Sequence, residues 1–156
     1  MTLAQTILPP VAADEFRDVV GRFASGVTVI TTARGEERSG MTASAMCSVS
    51  LEPPMLLVCI NRQTRTGAAV QANGVFAVNI LGEHQAQLAA HFASPIEEKF
   101  AGVITTTGDL GCPLLDDALA VIECRVVESI DGGTHSVYLG QVAGGRARDG
   151  RPLGPF

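Results

Sequence analysis

The chain has no tryptophan, one tyrosine and six phenylalanines, so aromatic side chains make up 4% of its 156 residues. Aliphatic residues must therefore fill any core, and a hydrophobic content of 46% supplies them. Basic residues are also few: 11 Lys and Arg, scattered, against 16 Asp and Glu, for a formal charge of −5. A nucleic-acid surface needs a clustered basic stripe, which this sequence lacks. No apolar run approaches the ~18 residues that span a bilayer. The opening Met1-Thr2-Leu3-Ala4-Gln5-Thr6 shows neither the positive nor the apolar region of a secretory signal, so a soluble, cytoplasmic protein is expected. Cys47, Cys59, Cys112 and Cys124 form no C-x-x-C pair and have no zinc-ligand spacing. They are expected as reduced, mostly buried thiols, with Cys47 the one nearest a ligand. His84 and His91 can share a helix face, but no third ligand accompanies them and no metal site is expected. No G-x-G-x-x-G follows a strand, which excludes a Rossmann-type dinucleotide site.

What is present reads as one domain, 14–156, preceded by an extended arm, 1–13, that contains Pro9-Pro10. Asp14 is expected to cap a helix with apolar positions Phe16, Val19, Val20 and Phe23, stopped by Gly26. Val27–Ala33 is β-branched and strand-like, and Arg34-Gly35-Glu36-Glu37 turns the chain into the next strand. Met55–Ile60 is apolar on both faces and reads as a central strand, entered through Pro53-Pro54. A short helix is expected to end near Asn73-Gly74, followed by a buried strand over Val75–Leu81 and a helix over Glu83–Phe92. Ser94-Pro95-Ile96-Glu97 has the form of a capping box opening another short helix through Phe100. Ala118–Ile130 and Thr134–Ala143 read as two long strands joined at Asp131-Gly132-Gly133. Strands dominate without strict β-α alternation, which points to an antiparallel barrel with peripheral helices.

One stretch stands apart. Ser39 to Pro54 reads as extended chain, yet Gly40, Thr42, Ala43, Ser44, Ala45, Ser48 and Ser50 stand where a core strand carries bulky residues. Such a strand either lies under a tightly packed helix or brings its backbone close to a flat ligand. Asn61-Arg62-Gln63-Thr64-Arg65-Thr66 follows a buried strand and opens a helix. By itself it reads first as a capped surface turn, and second as an anion site with free N–H donors.

Gly26-Val27-Thr28-Val29-Ile30-Thr31-Thr32, Gly40-Met41-Thr42-Ala43-Ser44-Ala45 and Ser48-Val49-Ser50-Leu51-Glu52-Pro53-Pro54 together resemble the flavin reductase family. The resemblance continues through Asn61 to Thr66, Phe76 to Leu81, Glu98-Lys99-Phe100 and Gly133 to Gly140, covering roughly 14 to 145 in order. It implies a mainly β fold, the FMN-binding split β-barrel, antiparallel and Greek-key-like with peripheral helices. It also implies an NAD(P)H:flavin oxidoreductase that reduces FMN or FAD, with NADH or NADPH as donor. Reduced flavin then passes to a partner monooxygenase, and the flavin site forms in a homodimer.

The resemblance assigns Met41, Thr42, Ala43, Ser44, Ala45, Ser48, Val49 and Ser50 to the flavin ring. Asn61, Thr64 and Thr66 fall to its phosphate end, with Lys99 and Phe100 beside them. Asn79, an amide in an apolar strand, is a weaker cofactor candidate. His135 is the catalytic candidate, beside the flavin and holding the nicotinamide. Two features depart from the family pattern. Thr134 stands where relatives carry an acidic residue before the histidine. The sequence given closes on Arg151-Pro152-Leu153-Gly154-Pro155-Phe156, where relatives run on into aromatic and basic residues; closure of the site is expected to be altered or supplied by a partner subunit. Two other classes stay open: a flavin carrier or sensor without turnover, and a pyridoxamine-phosphate-oxidase-like or deazaflavin-dependent redox enzyme.

Overall fold

A computed structural model describes residues 8–154. In chain order the elements are α1 (Ala13–Val20), β1 (Thr28–Arg34), β2 (Glu37–Ala43), β3 (Met46–Leu51), β4 (Pro54–Asn61), α2 (Arg65–Asn73), β5 (Val75–Ile80), α3 (Ala86–Ala93), β6 (Thr105–Thr107), β7 (Pro113–Leu115), β8 (Ala120–Gly132) and β9 (His135–Ala147). Seven strands form one sheet in the order β2-β1-β5-β8-β9-β4-β3, every ladder antiparallel. Its outermost strands, β2 and β3, are neighbours in sequence, separated by Ser44 and Ala45 alone. The sheet therefore curls until its two ends meet at one corner, and no ladder joins them among the described residues. That is an antiparallel barrel with a split.

Side chains alternate across a strand, so each buried strand serves two cores. In β1, Val29 packs with Leu81, Phe92, Phe100 and Val121. Its neighbour Ile30 packs with Val58, Val70, Phe76 and Tyr138 on the other side. Gly140 of β9 makes the second core possible: a Cβ there would lie 2.7 Å from the Phe76 ring and 2.8 Å from Cys124 Cβ.

Several local expectations are met. Thr64 caps α2 by accepting from the Gly67 N–H, and Gly74 ends it at φ 70°, a conformation glycine adopts without penalty. β4 is paired on both sides, and β8 and β9 meet through the Gly-rich hairpin.

Others are corrected. Asp14 is not a cap: α1 starts at Ala13, Ala12 precedes it without a side-chain bond, and Asp14 instead pairs with Arg17. Gly21, not Gly26, ends that helix. No residue of α1 is buried among the described residues, and Phe16 and Phe23 are 58% and 80% exposed. The helix expected from Glu83 starts at Ala86, because Gly82–Gln85 closes as a turn held by the Gln85 side chain. Ser94 opens no new helix. Its hydroxyl donates back to His91 O at the end of α3, and turns follow to Val103. The short β6–β7 pair had no expectation. Of the arm, residues 1–7 lie outside the described residues, and 8–12 carry no regular structure.

Candidate functional site

The small residues of β2 and the corner after it line a cleft of about 290 Å³, with Met41, Thr42, Ala43, Ser44 and Ala45 on one wall. Asn61 and His135 face them from the ends of β4 and β9, where they are register partners. β2 is an edge strand, so alternate residues turn both backbone groups away from β1. Gly40 belongs to that outward set, since its carbonyl accepts from Lys99 Nζ at 3.1 Å. By the period of two, the N–H and C=O of Thr42 also face the cleft. The Thr42 hydroxyl does not, because it donates to Ala89 O of α3.

A second cleft, of about 580 Å³, shares Met41, Thr42 and Ala93 with the first and continues to the N-terminus of α2. Here the expectation for Thr64 needs correction. Its hydroxyl donates to Asn61 O at 2.7 Å and accepts from Gly67 N at 3.0 Å, so it holds no donor for an anion. Thr66 is different. It is 3% exposed, lines the cleft, and its hydroxyl has no hydrogen-bond partner among the described residues. The N–H groups of Arg65 and Thr66, in the first turn, are likewise unused and complete a small anion cradle.

Lys99 closes this end. Its ammonium donates to Gly40 O and Phe92 O, leaving a third donor for the cleft. Burial, and after it the Arg65 guanidinium, hold its pKa below the ordinary 10.5. Phe100 sits behind, 8% exposed, edge-on to Phe92 with centroids 5.3 Å apart. Gly40 permits that packing, since a Cβ there would meet the Phe92 ring at 2.9 Å.

At the other end, His135 Nδ1 and Thr134 Oγ1 are 2.8 Å apart. Whichever atom donates, Nδ1 is committed, and Nε2 is the ring nitrogen left for the cleft. The threonine thus gives the imidazole a hydroxyl partner where the family pattern has an acidic neighbour. Arg62, grouped with the phosphate end by sequence, turns toward this hairpin instead. Its guanidinium donates to Asp131 Oδ1 at 3.0 Å and to Gly133 O, and its N–H donates to Thr134 O at 3.1 Å.

The remaining candidates lie apart. Ser48, Val49 and Ser50 are on edge strand β3, where the register shifts between Ser48 and Ser50, and they line neither cleft. Asn79 is fully buried; its amide donates to Val29 O and Thr31 Oγ1, and its carbonyl accepts from Leu115 N. It ties β5 to β1 and to β7, and faces no cleft. Cys47 is exposed on β3, whereas Cys59 of β4 lines the first cleft, its thiol pKa raised by burial. Nothing in the local sequence marks Cys59, Ala93 or Ile96, which reach the clefts only through strand pairing and the turn after α3.

The fold is a split antiparallel barrel, and along its open edge a cleft runs from the N-terminus of α2 at one end to His135 at the other. The chain matches the flavin reductase like domain over residues 20–155 and belongs to that family. It is 45% identical over 151 residues, 97% of this chain and 81% of the relative, to the reductase component of 4-nitrophenol 4-monooxygenase/4-nitrocatechol 2-monooxygenase from Rhodococcus opacus. It is 39% identical to the FMN reductase (NADH) RutF of Ancylobacter novellus, covering 91% of this chain and 81% of that one. Among solved structures, the NADH:FAD oxidoreductase SgcE6 of Streptomyces globisporus, in complex with NAD and FAD fragments, superposes with a TM-score of 0.84 at 34% identity, covering 92% of this chain and 87% of that one.

Proposed function

We propose that this protein is an NAD(P)H:flavin oxidoreductase that reduces FMN or FAD and supplies the reduced flavin to a partner monooxygenase. The observation that carries the reading is the pair of joined clefts at the barrel's split, with unused donors of Thr66 and α2 at one end and His135 at the other. When bound, the flavin supplies the hydride acceptor, which must stand about 3–3.5 Å from the donor carbon of the nicotinamide. The outward backbone groups of Thr42 meet the polar edge of the ring, and Ala43 and Ala45 allow close approach. Thr66, the first N–H groups of α2 and Lys99 hold the phosphate. His135, through Nε2, orients the nicotinamide. No acid–base pair is required of the chain, since position and exclusion of water are what it contributes.

The same proposal includes a homodimer and a cytoplasmic location. Phe16, Val19, Val20 and Phe23 of the α1 segment offer an apolar face that a second copy can cover. No described helix is long and apolar enough to cross a membrane. The experiment mixes purified protein with NADH or NADPH and each of riboflavin, FMN and FAD, and follows nicotinamide absorbance. Oxidation is expected only with a flavin present. Oxidation without flavin, or none with any flavin, would overturn the reading; flavin binding without turnover would identify a carrier.

A further inference from the structure

Lys99 is the one lysine among the 11 basic residues of the sequence; the other ten are arginines. The two side chains do different chemistry. A guanidinium stays charged in a protein site, whereas an amine whose pKa is lowered becomes a nucleophile toward carbonyl carbon. Side-chain amine chemistry is therefore confined to a single atom, Lys99 Nζ.

That atom is held in place. Nζ donates to Phe92 O at 2.9 Å and to Gly40 O at 3.1 Å, one carbonyl from the last turn of α3 and one from the outward edge of β2. The backbone is fixed as well, since His91 Nε2 lies 2.6 Å from Lys99 O. A carbonyl only accepts, so Nε2 is the donor there. An ammonium carries three hydrogens, and the third falls to the clefts that Lys99 lines. When that proton leaves, the two remaining N–H groups keep both carbonyls and the lone pair takes the third direction. No carboxylate pairs with Lys99 among the described residues to oppose the loss. Burial, and after it the Arg65 guanidinium, already lower its pKa.

An anion seat adjoins the amine. Thr66, 3% exposed and with its hydroxyl unpartnered among the described residues, lines the same two clefts as Lys99. The unused N–H groups of Arg65 and Thr66 stand with it at the start of α2. Glu36, Glu37, Glu97 and Glu98 share an outer shelf with Lys99 but not with Thr66. Like charges repel, so an anion takes the Thr66 side of the amine.

We propose that Lys99 is an imine-forming amine, and that the site captures a small phosphorylated aldehyde with its phosphate on Thr66 and its carbonyl carbon at Nζ. The ammonium first gives one proton to water. The lone pair then attacks the aldehyde carbon, and the former carbonyl oxygen takes up a proton. Loss of water from this carbinolamine leaves a C=N bond, with nothing oxidised or reduced. Hydrolysis reverses the step. The adduct fills the phosphate end of the groove, so such an aldehyde is a reversible covalent block to flavin; that consequence rests on the reductase reading, whereas the imine does not.

The probe is pyridoxal 5′-phosphate, and 5′-deoxypyridoxal, which lacks the phosphate, is its control. Imine absorbance is titrated without flavin, and borohydride reduction followed by peptide mass mapping locates the adduct on the unaltered chain. One adduct is expected, at Lys99. The phosphorylated aldehyde should form it about tenfold or more tightly than the control does, and more tightly by a similar factor than it forms an imine with Nα-acetyl-lysine, as a charge-assisted bond to phosphate provides. Thr66→Val should weaken pyridoxal 5′-phosphate about tenfold and leave 5′-deoxypyridoxal unchanged. An adduct at the terminal amine in place of Lys99, equal affinity for the two aldehydes, or a Thr66→Val loss shared by both would overturn the proposal. A chain that forms the imine but reduces no flavin would keep this inference and remove the reductase reading; one that reduces flavin and forms no imine would do the reverse.

Discussion

Replacing Arg62 with alanine should separate flavin binding from hydride transfer. The side chain makes two contacts, both to the hairpin that carries His135: one to Asp131 Oδ1 at 3.0 Å and one to Gly133 O. It makes none to the anion cradle among the described residues. The ion pair is solvated, its side chains 46% and 86% exposed, and is worth about 0.2–1 kcal/mol. The bond to the Gly133 carbonyl adds about 1 kcal/mol. The expected loss of stability is therefore only about 1–2 kcal/mol, at roughly 2–4 °C of Tm per kcal/mol for a chain of this size.

Function should suffer more than the fold. His135 begins β9 directly after the clamped turn, and its register partner Asn61 immediately precedes Arg62. A misplacement of about 1 Å can lower a rate by roughly a hundredfold. Arg62→Ala is thus expected to slow anaerobic flavin reduction, or raise the nicotinamide KM, by about tenfold or more, within that limit. Flavin Kd should stay within about twofold, since no flavin-facing donor is removed. Asp131→Asn, which keeps the Gly133 contact, should show a fraction of the effect. Stopped-flow reduction at varied NADH, with Kd from titration, reads both quantities. A flavin affinity that falls as far as the reduction rate would refute the reasoning, because Arg62 would then serve the phosphate end after all.

Two further predictions follow from hydroxyl and thiol placement. Thr66→Ala should weaken FMN by roughly tenfold or more and leave riboflavin unchanged, while Thr64→Ala should cost about 0.5–2 kcal/mol of stability as a lost cap and shift both flavins alike; titration and thermal melts of the two variants distinguish them. Cys112 and Cys124 are fully buried, and burial, with the Glu123 carboxylate adding to it, pushes both thiols from 9.0 up to about 12. The unfolded chain releases these protons first, so the stability they contribute is complete below about pH 9 and is lost as pH rises toward 12. Denaturant midpoints measured from pH 8 to 11 should fall for this chain and less steeply for Cys112→Ala with Cys124→Ala; an equal slope would show that other groups drive the loss.

The fold was legible where local chemistry and tertiary structure agree. Thr64 and Gly74 carry the cap and stop of α2 in their own side chains, and the glycines at 132 and 133 need only a tight turn. Where a residue had two partners to choose between, local reading failed. Ser94 matches a capping box, but the carbonyl of His91 at the end of α3 lies nearer than any new helix. Arg62 adjoins the phosphate motif in sequence, yet it stands in the turn just after β4, where its N–H donates to Thr134 O and its guanidinium follows to the β8–β9 hairpin. Asn79 looked like a polar visitor in an apolar strand. Its three bonds are all to the protein, and they knit β1, β5 and β7 together, a pairing invisible without β7. The stretch Gly40 to Ala45 was legible as unusual, though not which of its atoms face a ligand.

Those small residues serve packing and access together, which joins the two readings left open for them by sequence alone. Gly40 lets Phe92 and Phe100 press against β2, and the Thr42 hydroxyl fastens α3 to the same strand. A helix does pack tightly there. Yet because β2 ends the sheet and Ser44-Ala45 leads straight to the opposite edge, one side of its backbone has no strand to pair with. An open edge invites association with any extended chain. Here α3 and Lys99 cover part of it, and the rest, with no bulky side chain above it, is a row of donors and acceptors at the floor of a cleft. The split in the barrel and the cleft are therefore one feature: closing the sheet with a β2–β3 ladder would pair the same backbone groups that now line the cleft floor.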